Sequence, residues 1–135
     1  MRRTVDTSPL FEPWAVSSKD DLVDMRAALS RGDLDAVGEI AERNALGMHA
    51  TMLAARPAVR YMSPASLTVL DAVLQLRRDG IPAYVTMDAG PNVKVLCRRT
   101  DTDRVATAVR GAAPDSAVHI AGPGKGARLL TGDER

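Results

Sequence analysis

From residue 44 to residue 55 the chain carries one ionisable side chain, His49, in a run otherwise made of apolar, small and neutral polar residues. The run continues a helical pattern that begins at Leu34, in which Leu34, Val37, Ala41, Ala45, Met48 and Met52 form one stripe. In the first half Asp35, Glu39, Glu42 and Arg43 occupy the opposite face, whereas in the second half Leu46 and Leu53 load the far side as well. A helix over 34–55 therefore needs its second half enclosed all round. Asn44, His49 and Thr51 fall within that buried stretch, where each needs a hydrogen-bonding partner to offset desolvation. They are internal hydrogen-bonders or they line a pocket.

Elements that could enclose this helix lie on both sides of it. The segment to about Trp14 contains Pro9 and Pro13 and reads as an entry segment holding at most one short helix. Over 15–31 the residues Leu22, Met25 and Leu29 recur at helical spacing among Asp20, Asp21, Asp24 and Arg26, which predicts an amphipathic helix. Gly32 supplies a left-handed stop and Asp33 an N-cap for the next helix. Ser63-Pro64 resembles an N-cap with proline at the first helical position, and Leu67, Leu70, Val73, Leu74 and Leu76 carry a helix to Gly80.

Beyond Pro82 the period shortens. Ala83-Tyr84-Val85-Thr86-Met87 and Val93-Lys94-Val95-Leu96-Cys97 are β-prone runs flanking Asp88-Ala89-Gly90-Pro91-Asn92, so two antiparallel strands are expected. A short helix over 101–110 follows, with Val105, Ala108 and Val109 inward and Gly111 as its stop, then a last strand at 117–121. The fold class is α+β: helices packed on one face of a small antiparallel sheet, in a single domain covering 1–135.

Composition narrows the function classes. With 18 Lys and Arg against 17 Asp and Glu, the net charge of +1 is too small to steer a polyanion or an acidic membrane over long range. The four aromatics, Phe11, Trp14, Tyr61 and Tyr84, are not interleaved with basic residues as a nucleic-acid platform requires, and the Arg pairs at 2–3, 77–78 and 98–99 read as solvated surface charge. Neither nucleic acid nor membrane is an expected partner. One cysteine excludes an intrachain disulfide, and two histidines give no metal-ligand cluster, so no metal site is expected and a cytoplasmic setting is.

The loop Asp88-Ala89-Gly90-Pro91-Asn92 is longer than a minimal hairpin turn. The N–H groups of Ala89, Gly90 and Asn92 could face one anion, and Asp88, ending an apolar strand, is either a turn-capping residue or a partly desolvated carboxylate serving as base or hydroxyl acceptor. Gly122-Pro123-Gly124-Lys125-Gly126 lacks the spacing and the Ser or Thr of a phosphate loop and reads as a turn. Cys97 is expected to be a small buried hydrophobe, since only His49 or His119 could serve it as a base.

Two segments, Ala41-Glu42-Arg43-Asn44-Ala45-Leu46-Gly47-Met48-His49-Ala50-Thr51-Met52 and Thr86-Met87-Asp88-Ala89-Gly90-Pro91-Asn92-Val93-Lys94-Val95-Leu96, resemble the diphosphomevalonate decarboxylases of the GHMP kinase superfamily. Thr4-Val5-Asp6-Thr7-Ser8 and the glycines near the end extend the resemblance over essentially the whole chain. It implies ATP-dependent conversion of mevalonate 5-diphosphate to isopentenyl diphosphate, in which the tertiary hydroxyl is phosphorylated, phosphate departs and carbon dioxide is lost. Asp88 matches the family's catalytic aspartate. Ala89, Gly90 and His49 become substrate-binding candidates, with ATP and Mg²⁺ as the cofactors of the complete enzyme. A related decarboxylase acting on a monophosphate, and a non-catalytic binding or assembly module that keeps the fold, are the alternatives.

Full members also have an N-terminal domain with the nucleotide loop, and a first strand of the C-terminal domain, upstream of the segment matched here. The resemblance thus implies a GHMP-kinase-like C-terminal domain lacking its first strand, which binds no ATP productively alone, works with a missing N-terminal half, and self-associates or dimerises through unpaired backbone.

Overall fold

The computed structural model describes residues 2–124, 126, 127 and 129. In chain order it comprises α1 (Arg2–Thr7), α2 (Phe11–Arg31), α3 (Leu34–Leu53), α4 (Pro64–Arg78), β1 (Ala83–Met87), β2 (Val93–Cys97), a 3₁₀ turn (Arg99–Asp101) and α5 (Thr102–Ala112). Among the described residues, five helices on a two-stranded antiparallel sheet make this the α+β fold that the periodicity predicts.

The helix ends follow from local chemistry. Gly32 closes α2 at φ 66°, where a side chain would be strained, and the Asp33 carboxylate accepts from Ala36 N–H at 3.1 Å to open α3. Ser63 and Ser66 cap each other's backbone N–H at 3.1 Å, with Pro64 filling the first position of α4. α2 starts at Phe11 rather than Ala15, because Pro13 lies in a first turn whose N–H groups have no intrahelical acceptors to lose. α3 ends at Leu53, and α5 runs through Gly111 to Ala112, so Gly111 is not its stop.

α3 is the central helix. Trp14 of α2 donates its indole N–H to the Asn44 carbonyl at 3.1 Å, while β1 packs against α3 through Tyr84. A Cβ on Gly38 would lie 2.1 Å from Tyr84 Cδ2, so that contact needs a glycine in mid-helix. The enclosure of α3 is less complete than its composition suggests: Leu46 is half-buried and Leu53 is exposed. The predicted face of α2 is also corrected. Leu22 and Leu29 are 52% and 61% exposed, whereas Trp14, Ser18, Asp21, Met25 and Ala28 turn inward, because indole and hydrogen-bonding side chains set the α2–α3 contact.

A second core lies between the sheet and α4 and α5, where Val69, Val73 and Leu76 meet Ala83, Val85, Val105 and Ala113. In the sheet Val85 faces Val95, Tyr84 faces Leu96 and Thr86 faces Lys94. Val85 N–H is donated to Glu42 Oε2 at 2.8 Å, and the Ala83 carbonyl accepts from Arg77 Nη1 at 2.8 Å. The backbone groups of residues 83, 85 and 87 therefore point away from β2, and by antiparallel alternation those of Val93, Val95 and Cys97 point away from β1.

One edge of the sheet is thus closed by an ion pair. Glu42 and Arg77 are joined by two bonds of 2.7 and 2.8 Å, with side chains only 16% and 24% exposed. Burial pushes the Glu42 carboxyl up, but the Arg77 fork and Val85 N–H outweigh it and hold it below the ordinary carboxylate value. Arg77, expected on the surface, instead stands over the Tyr84 ring at 5.1 Å from its centroid.

The last predicted strand, 117–121, does not form. Strand conformation needs a ladder partner: the β1 edge is occupied by side chains, and the segment has no backbone hydrogen bonds along β2. His119 is exposed on that segment.

Candidate functional site

The hairpin loop 88–92 is held by two side chains from different helices that are each 2% exposed. His49 of α3 donates from Nε2 to the Asp88 carbonyl at 3.1 Å, and Ser66 of α4 donates from Oγ to the Pro91 carbonyl at 2.8 Å. Gly90 N–H bonds the same Asp88 carbonyl at 2.7 Å, folding the chain tightly after β1. With a carbonyl as acceptor, the imidazole carries its proton on Nε2. Burial pushes its pKa down, and the Asp88 carbonyl offsets part of that.

The Asp88 side chain is 89% exposed, which excludes the partly desolvated carboxylate that was one of its two readings: its strand ends at the lip of the sheet and its carboxylate projects into solvent. Lys94, opposite Thr86 in the ladder, reaches diagonally to place Nζ 2.5 Å from Asp88 Oδ2. Chemically the site offers one carboxylate able to accept a hydroxyl proton, and an ammonium group able to receive a phosphoryl oxygen.

The sequence-predicted site residues come together, with altered parts. Asp88, Ala89 and Gly90 share the loop, with Ala89 exposed and Gly90 half-buried. His49 is buried and bonded to the Asp88 carbonyl rather than lining an open cleft. Gly90 N–H is used within the loop, so it faces no anion. Asn44 donates to Ser18 Oγ at 2.9 Å and Asp21 Oδ2 at 2.8 Å, and Thr51 donates to the Met48 carbonyl at 2.6 Å, so both are internal hydrogen-bonders. They also line an open cavity of ≈ 390 Å³ between α2 and α3, with Trp14, Asp21 and Arg43.

Cys97 is half-buried, and burial pushes its thiol up, away from a nucleophilic thiolate. Among the described residues no three His, Cys, Asp or Glu side chains converge. None of the described helices is long and apolar enough to cross a membrane.

Sequence reasoning missed Ser66, Lys94 and the Glu42–Arg77 pair. Ser66 was legible only as the third residue after an N-cap, a spacing that announces helix capping and conceals its second bond to Pro91. Lys94 was legible as the polar member of an alternating strand, diagonal to the residue that follows the preceding strand. Nothing in the sequence marks Glu42 and Arg77 as partners, since they lie 35 positions apart.

These elements define a small α+β domain whose buried polar frame presents one exposed carboxylate, paired with a lysine, on a glycine-containing turn. The chain belongs to the mevalonate 5-diphosphate decarboxylase C-terminal domain family, whose model matches residues 1–123. A phosphomevalonate decarboxylase of Haloferax volcanii is 34% identical over 103 residues, covering 76% of this chain and 32% of the relative. A solved mevalonate diphosphate decarboxylase from Enterococcus faecalis, described by its mevalonate diphosphate-mediated ATP binding mechanism, superposes with a TM-score of 0.78 at 42% identity, covering 82% of this chain and 34% of that one. The Staphylococcus aureus mevalonate diphosphate decarboxylase gives a TM-score of 0.77 at 35% identity, covering 81% and 33%. The chain thus spans about a third of the length of these relatives.

Proposed function

We propose that this chain supplies the C-terminal, aspartate-bearing part of an ATP-dependent decarboxylase that converts mevalonate 5-diphosphate to isopentenyl diphosphate. The observation that carries the reading is the exposed Asp88 carboxylate at the head of a loop fixed by His49 and Ser66, in a chain of this family. Asp88 accepts the proton of the tertiary hydroxyl, or orients that hydroxyl, as it attacks the γ-phosphate of ATP. Phosphoryl transfer depends mainly on positioning and charge stabilisation, which a rigid loop provides. Loss of phosphate and carbon dioxide then gives the alkene. Mg²⁺ would accompany the nucleotide phosphates and take oxygen ligands. The reaction needs groups that the relatives carry outside the matched third, and the setting we infer is the cytoplasm.

The Haloferax volcanii relative favours one alternative in which the substrate carries a single phosphate. Along the free edge of β2, where Val93, Val95 and Cys97 have no backbone partners among the described residues, we infer pairing with a further strand, from the companion polypeptide or from a second copy.

The test is ATP-dependent carbon dioxide release by this chain mixed with the separately produced N-terminal part of a family member, with mevalonate 5-diphosphate and the 5-monophosphate compared side by side. Activity that appears on mixing and disappears with Asp88→Asn is the expected result. A confirmed folded complex with no activity on either substrate would overturn the reading in favour of a binding module.

A further inference from the structure

The two faces of the sheet carry different side chains. Ala83, Val85, Val93, Val95 and Cys97 belong to the core that α4 and α5 build. Tyr84 lies against Gly38 of α3, so the alternate residues of the strands turn to the α3 side. Thr86 is one of them and stands opposite Lys94 in the ladder, and residues paired in this way share a face. Lys94 Nζ lies 2.5 Å from Asp88 Oδ2, which places the Asp88 carboxylate on that face too. At its far end the Tyr84 hydroxyl and Arg98 both bond the Asp35 carboxylate, each at 3.2 Å, and close it. The open end holds Thr86, Lys94 and Asp88.

Lys94 and Asp88 are paired with each other, and Thr86 is paired with nothing. It is half-buried, and its hydroxyl has no hydrogen-bond partner among the described residues; since no buried polar atom there is left unpaired, the hydroxyl opens onto the face. Two positions along an extended chain put Thr86 about 7 Å from Asp88. A substrate that loses phosphate from a tertiary hydroxyl and carbon dioxide together, leaving an alkene, carries its carboxylate on the carbon next to the carbinol carbon. Its carboxyl carbon is three bonds from the hydroxyl oxygen, whereas the phosphorus on the 5-oxygen is five bonds away. With the hydroxyl on Asp88, the carboxylate is the oxyanion within reach of a neighbouring side chain on the same face.

We propose that Thr86 contacts the substrate, donating its hydroxyl to the carboxylate and orienting it for departure while Asp88 takes the tertiary hydroxyl. The inference rests on the decarboxylase reading and adds a residue to its site. In the second step the bond to the carboxyl carbon breaks and its electron pair forms the alkene, while the carbinol C–O bond breaks with its pair on the leaving phosphate. The carboxylate loses its negative charge as carbon dioxide forms. A cation bound to it would stabilise the ground state more than the transition state and slow the step. A neutral hydroxyl fixes the direction of the breaking bond with less of that penalty.

The experiment separates the two steps in a single turnover of the full chain mixed with the N-terminal part of a family member: ADP reports phosphoryl transfer and carbon dioxide reports fragmentation. Thr86→Val keeps the shape and β-branching that suit a strand and removes the hydroxyl. The expected result is carbon dioxide release slowed about ten- to a hundredfold, the worth of a hydrogen bond to a charged acceptor, with ADP formed at the native rate. Thr86→Ser should restore carbon dioxide release, and Asp88→Asn should lose both products. Equal slowing of both steps by Thr86→Val, slowing of neither, or no rescue by serine overturns the proposal. A second readout needs no turnover: the Thr86 methyl resonance of the same mixture, titrated with mevalonate 5-diphosphate and, as a ligand without a carboxylate, isopentenyl diphosphate. A saturable shift larger with the first is expected, and a shift no larger with the first overturns the contact. A native mixture that forms no ADP removes the decarboxylase reading, and the methyl shift then decides the Thr86 contact by itself.

Discussion

Replacing Glu42 by alanine removes three interactions at once. The carboxylate accepts two bonds from Arg77 at 2.7 and 2.8 Å and one from Val85 N–H at 2.8 Å. The truncation leaves the Val85 N–H in the buried edge of β1 with no acceptor, which costs about 1–3 kcal/mol. It also leaves the Arg77 guanidinium without its counter-charge. Breaking a fully buried pair costs about 3–5 kcal/mol, and side chains 16% and 24% exposed place this one below that range. The Ala83 carbonyl and the Tyr84 ring still hold the guanidinium, which lowers the cost further. The two losses share one acceptor and do not add, so the expected destabilisation is about 3 kcal/mol. With a urea m-value of about 2 kcal/mol/M, the midpoint falls by about 1.5 M. Glu42→Gln keeps an acceptor for one of the two donors and should lose about half as much. The assay is urea unfolding followed by far-UV circular dichroism, with sedimentation to detect strands pairing on the unsealed edge. A midpoint for Glu42→Ala within about 0.3 M of the native chain would refute the assignment of this pair as the closure of the sheet.

Three further outcomes follow from the same contacts. Gly38→Ala gains about 1 kcal/mol of helix propensity but forces the Tyr84 ring from its place 2.1 Å from the new Cβ, so a net loss of about 2 kcal/mol and a change in near-ultraviolet dichroism are expected; a stabilised variant would contradict the packing. His49 titrates below its ordinary 6.5 when folded, so the unfolded chain binds the extra proton first and stability falls as pH drops below about 6.5. Glu42, held below 4.5, adds a contribution that is complete above that value and lost as pH falls through the folded pKa. Thermal melts should show both steps, and His49→Gln should flatten the first while leaving the second. Leu29→Gln, on a residue 61% exposed, should alter stability by no more than about 0.5 kcal/mol, a result that unfolding midpoints would check and that the helical pattern alone would not have foretold.

Much of this fold was legible. Gly32, Asp33 and Ser63-Pro64 carry their own stop and start signals, and alternation over 83–87 and 93–97 marks both strands, because such signals act within a few residues of themselves. What escaped were choices made between distant elements. Leu22 and Leu29 have the right spacing for a buried stripe, yet α2 turns Trp14 and Met25 inward, because the Trp14 indole reaches a carbonyl on α3. Residues 117–121 have strand composition, yet a strand is a relation between two segments, and no ladder receives this one.

The candidate site divides along the same line. Asp88 could be singled out because the family resemblance rests on its motif; by position alone it reads equally as a turn-capping aspartate. His49 could be seen to need a partner, since an imidazole in an apolar helix must bond to something. Which partner it takes was settled only when β1 packed on α3 and set the Asp88 carbonyl 3.1 Å away.

By itself the sequence determined the stop of α2, the N-caps of α3 and α4, which two runs form a hairpin, and which carboxylate stands at its turn, because these depend on backbone preferences and on periodicity along one segment. Tertiary structure alone decided that Glu42 and Arg77 close the sheet, that His49 and Ser66 hold the loop, and that Asp88 faces solvent beside Lys94. Those outcomes depend on hydrogen bonds between groups tens of residues apart, whose strength is set by burial and angle and is written nowhere in their local sequence.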